Sequence, residues 1–349
     1  MSQLNTQIKP NHRNTSIDSF RGFAVLVMIV ANAWPSLFPF SRCPLGLRIL
    51  FSIAAPLFIF LSGASVCLAE EAGKSSSVLL KRIVQVLIIG VIIDALVVKI
   101  APFYTFDVLY LITFSLLIIL ILRQTPHFVQ WTTATVLLVG NVFLLDHYQF
   151  DITTLSLSGD ALEYSTATAF RQFVLDGWFP LLPWAGVACF GYLLCKKRNC
   201  LDNFSKAFLV AGSAVILLSI VIYTINSENI QPLRDGYTEL FYPVKNFYWL
   251  LLSGLIFISI STLNASCYKP NFLSRIGSKS LFMYLLHIII IEFLIPLFNQ
   301  DAESFQVWIS IGVFLGYIAF LNAFHYVTEP FIKSLKYGKM RMFGYILGF

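Results

Sequence analysis

The feature that most constrains this chain is the recurrence of long apolar runs along nearly its whole length. Runs of roughly 17 to 25 residues with few charges can each cross the ~30 Å hydrocarbon core of a bilayer as a helix. Hydrophobic residues make up 57% of the sequence and charged residues 12%, and the mean hydropathy is +0.76, far from the values of soluble globular chains. The sequence therefore predicts an all-α integral membrane protein, a polytopic bundle of about ten transmembrane helices.

The predicted spans form one membrane domain with short polar ends. They cover residues 18–36, 46–69, 78–99, 105–123, 128–146, 178–195, 206–225, 246–264, 279–298 and 306–327. We expect a cytoplasmic segment at 1–17, a single transmembrane domain at 18–335 and a cytoplasmic tail at 336–349. The polar start has no short apolar core followed by a cleavage site, so we expect the first span to be kept as an anchor.

Lys and Arg residues are distributed unequally between the two sides of this predicted topology. With the N-terminus inside, 18 of the 24 lie on the inner side, where cytoplasmic loops carry their excess. Those on the outer side are Arg42, Arg48, Lys99, Arg171, Arg234 and Lys245. Both termini are therefore predicted to be cytoplasmic. The net charge of +6 follows from this topology and gives no indication of nucleic-acid binding.

The first predicted span contains polar residues, in the stretch "SIDSFRGFAVLVMIVANAWP" at 16–35. Each costs a few kcal/mol at the bilayer centre unless a partner compensates for it. Asp18 and Arg21 are three residues apart, so they share a helix face and can pair. Asn32 lies roughly 21 Å further along the helix than Asp18, in its outer half. An ion pair at the helix start, hydrogen bonding between helices and a catalytic role all remain open for these residues.

The ninth predicted span carries His287 near the middle of the membrane, followed by Glu292, in "SKSLFMYLLHIIIIEFL". A neutral imidazole donates and accepts hydrogen bonds at once and transfers protons near neutral pH. A functional base and a hydrogen-bonded structural histidine are the two alternatives. The estimated depths of His287 and Asn32 differ by only one or two helical turns, but the sequence does not decide whether they meet.

Other polar residues lie near the ends of the spans. Asp94 and Asp107 bracket the outer loop between the third and fourth predicted spans, where Lys99 is available as a partner. They are candidates for substrate binding or for simple interface residues. His325 and Glu329 close the last span at its inner end, as a salt-linked cluster or a ligand site. The longest outer connection, residues 146–177, is expected to be a loop, either solvated or folded over an outer-facing site.

Cysteine usage and short motifs exclude several classes of chemistry. Of six cysteines only Cys43 falls in an outer loop, so a disulfide framework is not expected. The sequence contains no CxxC, HExxH, Walker or GxGxxG pattern. We therefore predict neither a metal site nor a nucleotide-hydrolysing or dinucleotide-binding site.

The segment "SIDSFRGFAVLVMIVAN" resembles the opening signature of the transmembrane acyltransferases, with ten residues between Arg21 and Asn32. An Asn rather than a His at that place resembles the heparan-α-glucosaminide N-acetyltransferase family more than the acyltransferase-3 family. Further segments agree with this resemblance: "APLFIFLSGAS" at 55–65, "FPLLPWAGVACFGYLL" at 179–194, "IGSKSLFMYLLH" at 276–287 and, for acyltransferase-3, "HYVTEPF" at 325–331.

The resemblance implies a bundle of ten or eleven helices that moves an acyl group, acetyl by expectation, from cytoplasmic acyl-CoA to a sugar hydroxyl or amine on the far side. It also implies acyl-CoA, a glycan and membrane lipid as partners, no metal, and a bacterial inner membrane; a homodimer stays open. One departure stands out. Heparan-type members carry a His in the first outer loop that serves as base or acyl acceptor, and "AWPSLFPFSRCPLGLRILFSIAAPLFIF" has none.

Roles follow for particular residues. We predict that His287 is the base and that the amide of Asn32 donates to the thioester oxygen. The candidate catalytic residues are His287, Asn32, Asp18 and Arg21. The candidate substrate-binding residues are Trp184, Asp94 and Asp107. The candidate contacts of the CoA phosphates are Arg21, Arg82, Lys196, Lys197 and Arg198, although the inner-side excess of positive charge explains the same residues equally. Cys43, in the loop without a His, is a second possible acyl carrier.

A non-enzymatic reading remains as the alternative. The chain is then a transporter of a small or lipid-linked solute, or a catalytically inactive family member. The missing loop His is the best support for this reading. A transporter is expected to show internal repeats with broken helices in both halves, whereas repeats are not evident and only the "FPLLPW" segment is expected to be broken.

Overall fold

Consecutive helices, most of them joined by short turns, make up the computed structural model. It describes residues 15–38, 43–104, 106–147, 166–225, 239–241, 246–263 and 271–294, together with Gly312 and Gly316. The helices are α1 (Thr15–Leu37), α2 (Leu45–Glu71), α3 (Ser76–Ile92), α4 (Val108–Leu122), α5 (His127–His147), α6 (Thr166–Arg171), α7 (Leu181–Leu201), α8 (Ser205–Ile225), α9 (Asn246–Leu263), α10 (Phe272–Gly277) and α11 (Ser280–Ile289). π-Helical turns extend α3, α6 and α11 over Ile93–Val98, Gln172–Asp176 and Ile290–Leu294. Within these described residues there is no strand.

Several helices have the length and composition of membrane spans. In the described part of the chain, four stretches are long and apolar enough: Thr15–Ser36, Leu45–Glu71, His127–Leu144 and Leu181–Ile225, the last comprising α7 and α8. Val108–Leu122, Tyr248–Ser261 and Ser280–Phe293 are shorter apolar helices. The all-helical prediction is confirmed, and each of the first nine predicted spans coincides with a helix. The tenth predicted span, at 306–327, lies outside the described residues apart from two glycines.

Helix α2 lies at the centre of the bundle, packed against α1, α4, α7 and α9. Its closest neighbour is α7, and glycines make this approach possible. A Cβ atom on Gly63 would lie 1.9 Å from the carbonyl oxygen of Ala188, and one on Gly191 would lie 2.0 Å from that of Phe60. The two backbones therefore touch directly, as small residues permit between membrane helices.

Salt bridges join the ends of three helices. Arg123, after α4, lies 2.9 Å from Glu70 of α2, and Arg198 of α7 lies 2.5 Å from Glu71. We call this end of the bundle the Glu70 end; α1 begins there, since Arg21 contacts Ser65 near the end of α2. The opposite end, where α3 finishes and α4 begins, is the Asp94 end.

The connection before α7 is only partly the loop that the sequence predicts. Residues 166–176 form α6 and its π-helical turn, which continues to the bend before α7. The short apolar run "FVLDGWF" and a hydrogen bond from the Phe179 amide to the Phe106 carbonyl hold this segment against the bundle. The part of the predicted loop at 148–165 lies outside the described residues.

Candidate active site

Asn32 and His287 meet inside the bundle. The amide Nδ2 of Asn32 lies 3.0 Å from the imidazole Nε2 of His287, which is a hydrogen-bond distance. His287 is completely buried and Asn32 is half-buried. The polar residues that the sequence singles out in the first and ninth spans therefore share one site.

The packing of α1 against the α10–α11 segment brings this pair together. Gly22 and Gly277 are in backbone contact, since a Cβ on Gly277 would lie 2.6 Å from the Gly22 nitrogen. Asn32 and His287 each lie ten residues further along the chain, and the separation of 255 residues is the same at both contacts. Helices α1 and α11 thus run parallel and in register from the Glu70 end.

The hydrogen bonds of His287 define a neutral imidazole. Because the Asn32 amide donates to Nε2, this nitrogen carries a lone pair and no proton. Nδ1 lies 3.3 Å from the carbonyl oxygen of Met283, which only accepts, so Nδ1 carries the ring proton. The basic atom of the ring is therefore Nε2, and the Asn32 amide covers it.

Tyr284 connects this pair to Asp107. It precedes His287 by nearly one turn of α11, and the two rings meet edge to face, with centroids 5.0 Å apart and planes at 75°. The Tyr284 hydroxyl donates to the carboxylate of Asp107, the residue that precedes α4. One of the predicted substrate-binding residues therefore lies next to the predicted base, through a tyrosine that the sequence analysis did not single out.

Asp94 forms a second carboxylate–tyrosine pair at the same end. Its Oδ2 accepts a hydrogen bond from the Tyr110 hydroxyl at 2.6 Å and one from the Phe103 amide at 3.3 Å. Asp94 is only 3% exposed. Lys99, offered by the sequence as a partner, is not among the residues that the described structure places on this carboxylate. The two carboxylates are close enough to interact electrostatically.

The turn between Asp94 and Asp107 has an unusual backbone. Lys99, Phe103 and Phe106 adopt left-handed conformations with φ of 60°, 67° and 54°. Such a conformation costs a non-glycine residue on the order of 1 kcal/mol or more and is found where surrounding contacts enforce it. The hydrogen bonds at Asp94 and Phe179 supply those contacts, so this turn is held in one shape beside the Asn32–His287 pair.

Trp184 lies in an aromatic cluster. It is 1% exposed, and its ring contacts Phe179, Phe241 and Tyr248 at centroid distances of 5.9, 5.2 and 6.2 Å. Neither Asn32 nor His287 is among these described ring contacts. Just before Trp184, Leu182 has non-helical angles (φ −99°, ψ 120°), so α7 is broken in the "FPLLPW" segment as predicted.

Asp18 and Arg21 form the predicted ion pair, with Nη1 and Oδ1 3.0 Å apart. The other guanidinium nitrogen of Arg21 donates to the Ser65 hydroxyl of α2. Both residues lie on α1 with Asn32, and Asp18 is roughly 21 Å from it along the helix. The structure therefore places this pair at the Glu70 end and does not bring it to His287.

The predicted CoA contacts at the Glu70 end have different surroundings. Arg198 forms a bidentate salt bridge with Glu71, at 2.5 and 2.6 Å. Lys196 donates to the Tyr192 hydroxyl at 3.1 Å. Arg82 and Lys197 are exposed. Of the predicted CoA contacts on α3 and α7, Arg82, Lys196 and Lys197 are therefore exposed, whereas Arg198 is engaged by a carboxylate.

Cys43, between the first two helices, has the character of an ordinary buried thiol. It is 8% exposed, and burial raises its pKa to about 11. A thiol with this pKa is almost wholly protonated at neutral pH, which opposes nucleophilic use. Within the described residues, no group of three or more His, Cys, Asp or Glu side chains is placed to hold a metal ion.

Sequence reasoning missed the two tyrosines of this site for different reasons. The sequence could have indicated Tyr284, because residues three apart on a helix share a face and Tyr284 precedes His287 by three positions. No spacing in the sequence indicated Tyr110, because its contact with Asp94 spans a turn that is not helical. Glu70 and Glu71, which engage two arginines, were also not foreseen.

Comparisons with known proteins point to one family. The sequence model of the family described as "Heparan-alpha-glucosaminide N-acetyltransferase, catalytic" matches residues 13–225, more than half of the chain. The match covers α1 to α8 and therefore includes Asn32, Asp94, Asp107 and Trp184, while His287 lies beyond it. No curated protein matches the sequence.

Proposed function

Because the chain belongs to the heparan-alpha-glucosaminide N-acetyltransferase catalytic-domain family, we propose that it is an integral membrane acyltransferase. It moves an acyl group, acetyl by preference, from cytoplasmic acyl-CoA to a hydroxyl or amine of a glycan on the opposite side. The observation that carries this proposal is the buried contact of 3.0 Å between Asn32 and His287. It unites a base and an amide donor, the two groups that acyl transfer from a thioester needs.

In the proposed reaction His287 is the general base. Its Nε2 takes the proton of the acceptor hydroxyl or amine while the acceptor oxygen or nitrogen attacks the thioester carbon. The carbon–sulfur bond then breaks, and the CoA sulfur leaves with the proton that His287 returns. The proton taken from the acceptor ends on the CoA sulfur, so His287 is neutral again after each reaction, and no metal is required.

Asn32 has two positions in this scheme. In the structure its amide donates to Nε2, the atom that must receive the proton. The acceptor therefore has to displace the amide from the lone pair. The freed NH2 can then donate to the oxyanion that forms on the thioester oxygen, where one such donor typically contributes roughly 10²- to 10³-fold in kcat.

The glycan acceptor is proposed to bind at the Asp94 end. Asp107 and Asp94 present carboxylate oxygens that accept hydrogen bonds from sugar hydroxyls or from an ammonium group. Their placement beside Tyr284 and Tyr110 supports this role. Trp184 is proposed to support the wall of the acyl or sugar pocket through the aromatic cluster around it.

CoA is proposed to bind at the Glu70 end. The exposed Arg82, Lys196 and Lys197 are available for its phosphates. Arg198 and Arg21 can take part by exchanging a carboxylate partner for a phosphate oxygen, because each is already held in place by Glu71 or Asp18. The thioester arm then reaches along α1 from Arg21 towards Asn32.

The topology belongs to the same proposal. We propose that the Glu70 end faces the cytoplasm, with both termini on that side, that residues 18–335 form one domain of about ten spans, and that the membrane is a bacterial inner membrane. Lipid surrounds the bundle, and a homodimer stays a prediction. The inner-side excess of Lys and Arg supports the orientation.

One observation favours a second candidate, a catalytically inactive family member. The stretch between Asn32 and Ala55 contains no His, whereas active heparan-type relatives are expected to use one there. On this reading the Asn32–His287 contact only joins two helices.

Acyl transfer by the purified protein in nanodiscs separates these candidates. We expect transfer of labelled acetyl from acetyl-CoA to an amino-sugar or polysaccharide acceptor, reduced at least about 100-fold by His287→Ala and by Asn32→Ala. His127→Ala and Asn203→Ala are matched controls, because both residues are exposed at the Glu70 end, and they should retain activity. A folded protein that neither binds nor consumes acetyl-CoA would establish the inactive reading.

A further inference from the structure

Tyr284 is the residue through which the acceptor end and the proposed base touch each other. Its hydroxyl binds the Asp107 carboxylate, and its ring packs against the His287 imidazole at 5.0 Å. Tyr284 is 3% exposed, and it lies three residues before His287 on the same helix. Its position is therefore fixed at both ends.

The His287 ring needs such support. A histidine side chain turns about two bonds, and its terminal torsion is broad. The hydrogen bond to Asn32 fixes one ring nitrogen, but the bond from Nδ1 to the Met283 carbonyl is long, at 3.3 Å. An aromatic ring packed at 75° against the imidazole blocks rotation that these two hydrogen bonds alone allow.

We propose that Tyr284 is a positioning residue, whose ring holds the His287 imidazole with Nε2 towards Asn32 and whose hydroxyl holds the Asp107 carboxylate for the acceptor. This inference rests on the proposed function. It also explains how one tyrosine links the proposed acceptor site, at the residue before α4, to the base on α11. Tyr284 touches neither acyl group nor acceptor in this scheme; it acts through His287 and Asp107.

Two substitutions separate the two parts of this role. Tyr284→Phe keeps the ring and removes the hydroxyl, so Asp107 loses its orientation while His287 keeps its own. We expect the KM for the acceptor to rise about tenfold with kcat within about twofold of the unaltered protein. Tyr284→Leu removes the ring, and we expect kcat to fall at least about tenfold with unchanged binding of acetyl-CoA.

The matched control removes a buried tyrosine ring elsewhere. Tyr223 lies on α8, is 6% exposed and has no part in the proposed site. Tyr223→Leu should lower thermal stability about as much as Tyr284→Leu does, while kcat and both KM values stay unchanged. If both Leu variants lose kcat equally, the effect of Tyr284 is structural and the proposal is overturned.

A second measurement needs no activity. Ring-¹⁵N labelling of the five histidines gives signals that report the tautomer, and His287→Gln identifies the signal of His287. We expect the Nδ1–H tautomer in the unaltered protein and an averaged tautomer signal in Tyr284→Leu. In Tyr110→Phe, which alters the other tyrosine–carboxylate pair, the His287 signal should not change.

The outcomes are distinguishable. The proposal is supported if the His287 tautomer signal changes in Tyr284→Leu, kcat falls in the same variant, and Tyr284→Phe raises only the KM for the acceptor. An unchanged signal with unchanged kcat overturns it. If the unaltered protein transfers no acyl group, the proposed function fails, and the tautomer signal alone decides whether Tyr284 positions His287. If Tyr284→Leu does not fold, the acceptor KM of Tyr284→Phe decides, and an unchanged KM overturns the proposal.

Discussion

Replacing Gly277 with Ala tests whether the crossing of α1 and α10 holds the site together. A Cβ at this position would lie 1.8 Å from the Asp18 carbonyl oxygen and 2.6 Å from the Gly22 nitrogen. Ordinary contact for such an atom begins near 3.4 Å, so the helices must separate by roughly 1.5 Å. Overpacking typically costs about 1–3 kcal/mol of unfolding free energy. We expect about 3 kcal/mol here, because the obstructing atoms are backbone and cannot turn aside.

The same displacement acts on the polar pair above the crossing. The contact between Asn32 and His287 is 3.0 Å, and beyond about 3.5 Å it is no longer a hydrogen bond. Because α1 and α11 run in register from the glycine contact, separating them there draws the pair apart. Gly277→Ala should therefore lose both stability and acyl transfer, although neither glycine contacts a substrate.

The assay is denaturant unfolding in mixed micelles, followed by tryptophan fluorescence, with acyl transfer measured on the same samples. Gly46→Ala is the control, because no atom lies within 4 Å of a Cβ at that position in the first turn of α2. It should stay within about 0.5 kcal/mol of the unaltered protein. A Gly277→Ala protein as stable as the Gly46→Ala protein would refute the direct backbone contact and the register argument that depends on it.

Further predictions concern groups around the site. Tyr110→Phe should lower the unfolding free energy by about 1–3 kcal/mol, because it removes the shorter of the two hydrogen bonds to the buried Asp94 carboxylate. A decrease of less than about 0.5 kcal/mol in the unfolding assay would contradict this prediction. The rate at which iodoacetamide alkylates Cys43, measured by peptide mass spectrometry, should keep rising with pH until about pH 11, because only the thiolate reacts and burial raises the pKa of this thiol. A rate that stops rising near pH 9.0, the ordinary pKa of a cysteine, would be inconsistent with the buried position. A double-mutant cycle of Arg198→Gln and Glu71→Gln, measured as unfolding free energies, should give a coupling energy of only about 0.5–1 kcal/mol, because the Glu71 side chain is 45% exposed. A coupling energy above about 2 kcal/mol would contradict this solvent exposure of the salt bridge.

The helices were predictable from the sequence because a bilayer leaves few alternatives. Each backbone amide must be satisfied within its own segment, so an apolar run of sufficient length becomes a helix whatever its neighbours are. The predicted spans at 206–225 and 246–264 differ from α8 and α9 by one residue at most. The ion pair of Asp18 and Arg21 was predictable for a related reason, since it depends only on the spacing within one helix.

Contacts between helices were harder to predict from the sequence. Counting residues placed Asn32 and His287 at similar depths, but depth does not specify which helices are neighbours or which faces meet. That information lies in the close approach of Gly22 and Gly277, which fixes both the partner and the register. A glycine in an apolar helix has no pattern that distinguishes a backbone contact from a lipid-facing position. The pairing therefore needed the structure.

The connection before α7 shows a different limit. The stretch at 146–177 is rich in Ser and Thr and in carboxylates, which favours a loop on composition alone. Its final third is nevertheless helical, because apolar residues there pack against the turn before α4: Phe173 lies 4.4 Å from Phe106 between ring centroids. Tertiary contacts decided this segment, and a single sequence does not show them.

The polar groups of the first span now have separate explanations. Asp18 and Arg21 satisfy each other and α2 at the Glu70 end, whereas Asn32 is satisfied across the helix interface by His287. Inside a bilayer no water replaces a lost hydrogen bond, so the Asn32–His287 contact can open only when something else supplies polar partners to both side chains. A thioester oxygen for the amide and an acceptor hydroxyl for the imidazole are such partners. In the proposed reaction, the Asn32–His287 contact would be exchanged for contacts with the substrates only when both substrates are bound, and this would limit hydrolysis of acyl-CoA.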